Sequence, residues 1–402
     1  MSNFSIDTRL QRVPNLTIEI DASNQVQIVW SGRSYRGGQH ALAVLEVFAY
    51  PTSVSEALER LKAQVQGVQD WMNLTSTVLR LHQVGILQEA GQLPAVLRAD
   101  PLGYDAAAVH IAMLNDRQRT SQLISGIQAV VRPGDVVVDI GTGTGVLAIA
   151  AAQAGAKQVY AIEASSIGKS AQALFEVNGL ADRITLVPGW STQVSLPERA
   201  DVLVTEMIGD EPLSERALEV TIDARKRLLQ PKPRFVPGKL QVMGLAITIP
   251  PEKLAQKTWT APTLKTWQSW YGIDFRALAA MARSDHTFYV RADTPKEWLT
   301  LSEPLLLADV DFATVTNTGF SHTVSAIAQT AGTINGLLIY FDVEFSPNNW
   351  LTTHPAQVPP DNHWYSLVWA LGKPLPVSLG ERFQVTYTHR LAAPRITVSS
   401  GS

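Results

Sequence analysis

DVVVDIGTGTGVLAIAAAQAGAKQVYAIE, residues 135–163, is the stretch on which the reading of this chain turns. Its opening apolar run, Val136-Val137-Val138-Asp139-Ile140, has the length and branching of a strand buried on both faces of a parallel sheet. A glycine loop follows at once. Gly141, Gly143 and Gly145 let the backbone turn tightly and approach a ligand closely. The alanine-rich run 146–154 continues as a helix whose N-terminus faces that loop, and Gly155 caps its far end. A second strand, 158–162, ends in Glu163, about 20 residues beyond the first glycine, where an acid in this architecture reaches a ribose hydroxyl pair. The order strand, glycine loop, helix, strand, acid specifies a nucleotide-like cofactor. An ordinary glycine turn in an α/β core is the competing reading, and it does not require the acid.

The glycine spacing narrows the cofactor. It is G-x-G-x-G directly after Asp139, not the G-x-G-x-x-G of dinucleotide enzymes. This resembles motif I of class I S-adenosylmethionine-dependent methyltransferases. The resemblance implies S-adenosyl-L-methionine as cofactor, held around Asp139, Gly141, Thr142, Gly143, Gly145, Glu163 and Ala164.

Composition sets outer bounds. With 402 residues, 46% of them hydrophobic and 17% charged, the chain has length and apolar content for two or three domains. The formal net charge is -3, so no global field recruits nucleic acid or an anionic membrane. Cysteine is absent, which removes disulfides, thiolate metal sites and a cysteine nucleophile. There is neither a signal-peptide pattern nor a membrane-length apolar run, and the opening MSNFSIDTRLQRVPN is polar. The expected location is cytoplasmic, with no nucleic-acid, membrane or metal partner.

Residues 16–36 alternate apolar and polar positions around two turn signals, Ala-Ser-Asn and Ser-Gly, which predicts a small antiparallel sheet. Three helical periods follow over 40–48, 54–65 and 71–82, with Pro51 and Gly67 as breaks and Gly85-Ile86-Leu87 as a terminal extended piece. Sheet, three helices, wing: this resembles the PqqD-like peptide-recognition domains, with HALAVLEVFAYPTSVSEAL its best stretch. A plain winged helix packed on the catalytic unit is the alternative. A DNA-binding one lacks the expected lysine and arginine cluster. Residues 91–103, with Gly91, Pro94, Pro101 and Gly103, read as the linker.

Next comes YDAAAVHIAMLNDRQRT, 104–120, a helical stretch expected to lie over the cofactor site. With His110, Met113-Leu114-Asn115-Asp116 and Arg119-Thr120 it resembles the corresponding helix of protein arginine N-methyltransferases. That likeness implies that Arg119 grips the cofactor's carboxylate, for which a planar guanidinium fork is suited. It places His110 and Met113 at the cofactor and Tyr104 at the substrate. A second signature is DVLVTEMIGDEPLSE, 201–215, where an apolar strand delivers Glu206 and Glu215 follows nine residues on. It looks like the family's double-glutamate loop, which grips the substrate guanidinium. Asp210 and Glu211 between them read either as solvated surface acids or as additional charge that attracts a cationic peptide. The third is DNHWYSLVWAL, 361–371. His363-Trp364 resembles the family's Thr-His-Trp loop, with Asn362 in place of threonine. There His363 is expected to pair with a loop carboxylate and Trp364 to line the substrate groove.

ARKRLLQPKPRFVPGKLQV, 224–242, resembles the passage into the family's C-terminal β-barrel. TWQSWYGIDFRALAAMA, 266–282, resembles its helical dimerisation arm, and alternating runs at 305–310, 336–345 and 382–388 supply barrel strands. The wording IGTGTG, YAIE and Ser191-Thr192 after Trp190 is closest to the monomethylating branch. Ser191 and Thr192 stand near the adenine, where many members carry a glutamate.

The expectation is an α/β chain of four parts: a PqqD-like or winged-helix domain over 1–90, the linker, a Rossmann-like cofactor domain over 104–232, and a β-barrel over 233–402 with a dimerisation arm near 255–292. The implied activity is methyl transfer to an arginine of a peptide or protein, including a ribosomally made precursor peptide recruited by the N-terminal domain, in a homodimer. The candidate catalytic residues are Glu206, Glu215 and His363; Tyr104, Glu206, Glu215 and Trp364 also face the substrate, and Glu206 the cofactor as well. Transfer to another nucleophile, such as a small amine or a peptide carboxylate, and a non-catalytic binding module are the alternatives.

Overall fold

The structure is a computed structural model, and it describes residues 5–13, 16–20, 25–30, 33–49, 51–89, 106–283, 285–390 and 393–401. The chain divides into two compact units, Met1–Leu102 and Gly103–Ser402. The linker assigned to 91–103 and Tyr104 lie outside the described residues.

In the first unit the chain runs β1 (Arg9–Arg12), β2 (Thr17–Ile20), β3 (Val26–Trp30), β4 (Arg33–Arg36), α1 (Ala41–Val47), β5 (Thr52–Ser53), α2 (Val54–Leu61), α3 (Gly67–Gln83) and β6 (Leu87–Glu89). Strands β2, β3 and β4 form the expected antiparallel meander. A second three-stranded sheet, β5-β1-β6, was not anticipated, because β1 draws one buried residue, Leu10, from an otherwise polar opening. A capping box starts α2: the Ser53 hydroxyl accepts from Glu56 N–H while the Glu56 carboxylate accepts from Ser53 N–H. Helix α3 begins at Gly67, earlier than the apolar period indicates, and buries Leu74, Val78 and Leu81 against Leu10, Val44, Phe48 and Ile86.

The second unit opens with α4 (Ala107–Asn115) and α5 (Arg117–Val130), then β7 (Val136–Ile140), α6 (Val146–Gln153), β8 (Gln158–Glu163), α7 (Gly168–Val177), β9 (Ile184–Pro188), β10 (Ala200–Thr205), α8 (Ala217–Arg227) and β11 (Leu229–Val236). All sheet pairings here are parallel, in the order β11-β10-β7-β8-β9. The order reverses between β7 and β10, so the carboxyl ends of these two strands border the crevice where open α/β sheets hold ligands. Every residue of β7 is buried, as its unbroken apolar run requires.

The rest is antiparallel. β12 (Lys239–Thr248) leads to α9 (Pro251–Ala255) and α10 (Ala261–Tyr271), then β13 (His286–Arg291), β14 (Leu299–Thr300), β15 (Leu305–Asp311), β16 (Phe320–Ile327), β17 (Gly332–Ser346), β18 (Asn349–Thr352), β19 (Tyr365–Val377), β20 (Arg382–Arg390) and β21 (Ala393–Ser400). A seven-stranded sheet holds β13-β19-β17-β12-β14 with β15 and β18 beside it, and β16-β20-β21 form a second sheet. One continuous core joins the parallel and antiparallel parts, from Leu123 and Val137 through to Phe345 and Tyr387. Its seam is tight at Gly126: a Cβ there would lie 2.7 Å from Phe345 Cβ, so only glycine lets α5 close on β17. Among the described residues no helix is long and apolar enough to cross a membrane.

Candidate active site

The glycine loop leaves β7 with Gly141, Gly143 and Gly145 at φ of 75°, 54° and 86°, all in the left-handed region. At Gly145 a Cβ would lie 2.4 Å from the Phe175 ring; at Gly143 it would lie 3.1 Å from His110 Cε1. The buried His110 of α4 therefore lies against the loop. Thr142 donates its hydroxyl to Asp139 Oδ2 at 2.6 Å. Burial pushes Asp139 up to about 7, opposed by that hydroxyl and reinforced by the charge of Glu163. At the end of β8, Glu163 Oε2 accepts from Gly143 N–H at 2.9 Å and Oε1 from Ser165 N–H at 2.8 Å. The acid thus fixes the loop as well as facing the crevice edge. Half-buried Ala164 follows it. Gly189 N–H donates to the Glu163 carbonyl, which brings the end of β9 to the same edge. Beyond it Trp190 is 40% exposed, Ser191 is buried and accepts from Arg227 through its carbonyl, and Thr192 is exposed.

Where one helix was expected over 104–120, the described residues form two, α4 and α5, broken at Asp116. The break is a cap: Asp116 Oδ1 accepts from Arg119 N–H at 3.0 Å. Its other oxygen accepts from His363 N–H at 3.1 Å and lies 3.0 Å from His363 Nδ1. Although burial opposes it, these hydrogen bonds hold the Asp116 carboxyl below the usual carboxylate range. So the carboxylate expected to pair with His363 is Asp116, at the start of α5.

Arg119, buried in the first turn of α5, directs its guanidinium back along the crevice. Its Nη2 pairs with Glu206 Oε2 and lies 3.6 Å from Met113 Sδ, and the group sits 5.5 Å from the centre of the Trp364 ring. Its Nε is buried without a partner. Glu206 follows β10 directly, with Oε1 accepting from Ile208 N–H at 3.1 Å. Glu215 is half-buried where the loop folds back, its Oε1 3.1 Å from the position of a Cβ on Gly209. Trp364 is buried, donates Nε1–H to the Ile208 carbonyl at 2.7 Å and meets Phe341 edge-on at 5.0 Å. Arg119 and Glu206 thus meet beside Trp364, while Glu163 ends β8 and Glu215 stands on the loop that follows β10.

Asp210 and Glu211 are not the solvated acids that the sequence implied. Asp210 Oδ1 accepts from Tyr365 N–H at 2.8 Å, and burial raises its carboxyl. Glu211 is 3% exposed; Oε1 accepts from Tyr387 Oη–H at 2.9 Å and Oε2 from Leu213 N–H at 3.2 Å. Burial pushes its carboxyl up to about 7. Local sequence misses this because the covering tyrosine is 176 positions away.

The comparisons agree with this geometry. The family model described as arginine methyltransferase oligomerization subdomain matches residues 253–395, and that for ribosomal protein L11 methyltransferase matches 116–222. A probable histone-arginine methyltransferase 1.3 of Arabidopsis thaliana is 34% identical over 259 residues, 62% of this chain and 47% of the relative. The histone-arginine methyltransferase CARMER of Drosophila erecta is 31% identical over 283 residues, 67% of this chain and 51% of the relative. The chain therefore spans about half the length of the curated relatives it matches. Among solved structures, the Trypanosoma brucei PRMT1 enzyme-prozyme heterotetrameric complex with AdoHcy superposes with a TM-score of 0.64 at 25% identity, covering 74% of this chain and 95% of that one. Arabidopsis thaliana protein arginine methyltransferase 10 gives 0.60 at 24% identity, covering 71% and 88%, and speaks for the fold. Motif, crevice and relatives agree in making the chain similar to protein arginine methyltransferases.

Proposed function

We propose that this chain is an S-adenosylmethionine-dependent N-methyltransferase that modifies an arginine guanidinium of a protein or peptide. The buried pair of Arg119 with Glu206 at the carboxyl end of β10, with Glu215 on the same loop beside Gly209, carries the reading. The residues present fit the cofactor: Gly143 has no side chain to obstruct backbone approach, and Arg119 is a buried cation with an unused Nε. Gly141, Thr142 and Gly143 would hold the donor's amino-acid end with Arg119, Glu163 its ribose, and the 190–192 stretch its base. When bound, S-adenosylmethionine supplies a methyl group on a cationic sulfonium.

The protein's own work is electrostatic and geometric. An arginine side chain stays protonated in water, so it needs no metal or strong base to be held, but its charge must be localised away from the reacting nitrogen. Glu206 and Glu215 supply two negative charges for two cations that would otherwise repel. Holding the guanidinium in line is worth roughly 7 to 11 kcal/mol of barrier in favourable cases. His363, locked to Asp116, fastens the 361–364 loop to the start of α5 and so keeps Trp364 and Arg119 in register.

Labelled donor incubated with arginine peptides, followed by mass spectrometry, tests this. Label on an arginine nitrogen is expected. Base-labile label on carboxylates, or transfer only to small amines, would overturn the acceptor assignment. We place the enzyme in the cytoplasm as a homodimer and read residues 5–89 as a peptide-recognition unit. Support for the last is edge strand β2, whose residues are all exposed, Ile18 and Ile20 among them; such an edge offers unpaired backbone groups to an extended peptide. Ile20→Asp should raise KM for a long peptide and leave a short one unaffected.

A further inference from the structure

We propose that Glu211 and Tyr387 are a positioning pair that sets the aim of the two clamp glutamates. Glu211 lies between Glu206 and Glu215 on the same loop, and its side chain turns away from the crevice into the antiparallel core. Tyr387, in the middle of β20, is fully buried and donates to it at 2.9 Å. The second carboxylate oxygen accepts from Leu213 N–H, and the Glu211 carbonyl accepts from Ser214 Oγ–H at 2.8 Å. One side chain thus organises the backbone that turns toward Glu215. Nearer Glu206 the loop is tied by Trp364 to the Ile208 carbonyl and by Tyr365 N–H to Asp210. Those two ties come from adjacent residues, whereas the Glu211–Tyr387 tie anchors the Glu215 half to a different sheet, β16-β20-β21. A shift of the clamp by about 1 Å is enough to cost on the order of a hundredfold in rate.

The proposal rests on the arginine-methyltransferase reading, and its test separates the two. Glu211→Gln keeps both hydrogen bonds with one reversed: the amide N–H donates to Tyr387 Oη and the amide oxygen accepts from Leu213 N–H. Tyr387→Phe and Glu211→Ala break the tie. Well below their melting temperatures, these two variants are expected to lose about tenfold or more in kcat, with donor Kd within about twofold, whereas Glu211→Gln keeps most of the turnover. Tyr387→Phe added to Glu211→Ala should cost nothing further. Unchanged kcat with only a lowered melting temperature would make the pair merely structural. Equal losses in the Gln and Ala variants, with raised KM for basic peptides, would mean that Glu211 acts by its charge. Hydrogen exchange decides independently of the acceptor. Tyr387→Phe must speed exchange of the amides over 206–215 and leave 141–146 unchanged. If 206–215 stay protected the brace is refuted, while a wild-type protein that never labels arginine refutes the acceptor reading alone.

Discussion

Glu206 has two partners to satisfy, because the buried Arg119 already pairs with it while the proposed substrate brings a second guanidinium. Arg119 pairs with Glu206, and Glu215 stands farther along the loop beside Gly209, so the two glutamates differ in what their loss entails. Glu215→Gln is expected to lower turnover roughly 30-fold or more, with donor affinity nearly constant, since it removes one charge from a site holding two cations. Glu206→Gln should lower turnover comparably and also destabilise the fold by about 3 to 5 kcal/mol, as it leaves Arg119 buried beside a neutral amide. Single-turnover rates and denaturation midpoints measured on both variants check this; equal stability of the two would mean that the Arg119 pair is not structural. Donor binding is a residue-scale matter as well. Glu163→Ala removes a charged acceptor and releases Gly143 N–H, so calorimetry should show affinity reduced roughly 10- to 150-fold, matching about 1.5 to 3 kcal/mol. Unchanged affinity would remove Glu163 from the site.

At the scale of elements, the strands and the glycine loop were legible because each is written in contiguous residues: β7 as an unbroken apolar run, the turn as G-x-G-x-G, and the edge acid at the end of β8. The same holds for β15, β17 and β20, which extend the expected alternating runs by a few residues. What escaped depends on contacts between distant segments. Asp116 breaks a helix because it must serve both the Arg119 amide and His363, 247 positions away. Glu211 looked like a surface acid because nothing within its loop reveals Tyr387. That burial has a consequence for stability against pH. A carboxyl whose folded pKa is raised binds its proton more tightly in the fold than unfolded, so it favours the fold at low pH and loses that contribution as pH rises through the folded value. Glu211 and Asp139, both raised to about 7 by burial, should each lower stability between their ordinary range near pH 4 and pH 7, with a slope of up to about 1.4 kcal/mol per pH unit. Asp116 acts oppositely: its depressed carboxyl contributes above its unfolded pKa and ceases to do so as pH falls through the lower folded value. Melting temperatures across pH 4 to 8 should show a shallower decline for Glu211→Gln than for wild type; identical slopes would mean that Glu211 is ionised throughout.

At the scale of the whole molecule, the arm between β12 and β13 is out of balance with water. Helix α10 buries Leu264 alone among its residues, ends at Gly272 in the left-handed conformation, and is followed by a 3-10 stretch, Arg276–Arg283, so the arm read over 266–282 is built of two helical segments. Trp267 and Phe275 meet edge-on at 5.7 Å and Tyr271 joins them at 6.4 Å, while Trp270, Tyr271 and Ile273 stay 66%, 62% and 56% exposed. Aromatic side chains each carry about 150 to 250 Å² of burial, so this cluster forms an apolar patch of several hundred Å², larger than monomers usually leave in water. The arm lies within the region matched by the oligomerization-subdomain model. A second copy of the chain is the proposed cover, because an isologous contact buries both arms at once. Light scattering at micromolar concentration should therefore report a dimer. Trp270→Ala with Tyr271→Ala removes about 3 to 6 kcal/mol of apolar burial per arm, and should raise the dissociation constant at least about a hundredfold. The variant should keep its melting temperature at low protein concentration, since both side chains are exposed within the single chain. A wild-type monomer at micromolar concentration would refute the homodimer. A variant that unfolds instead of dissociating would show that the cluster stabilises its own chain rather than a partner.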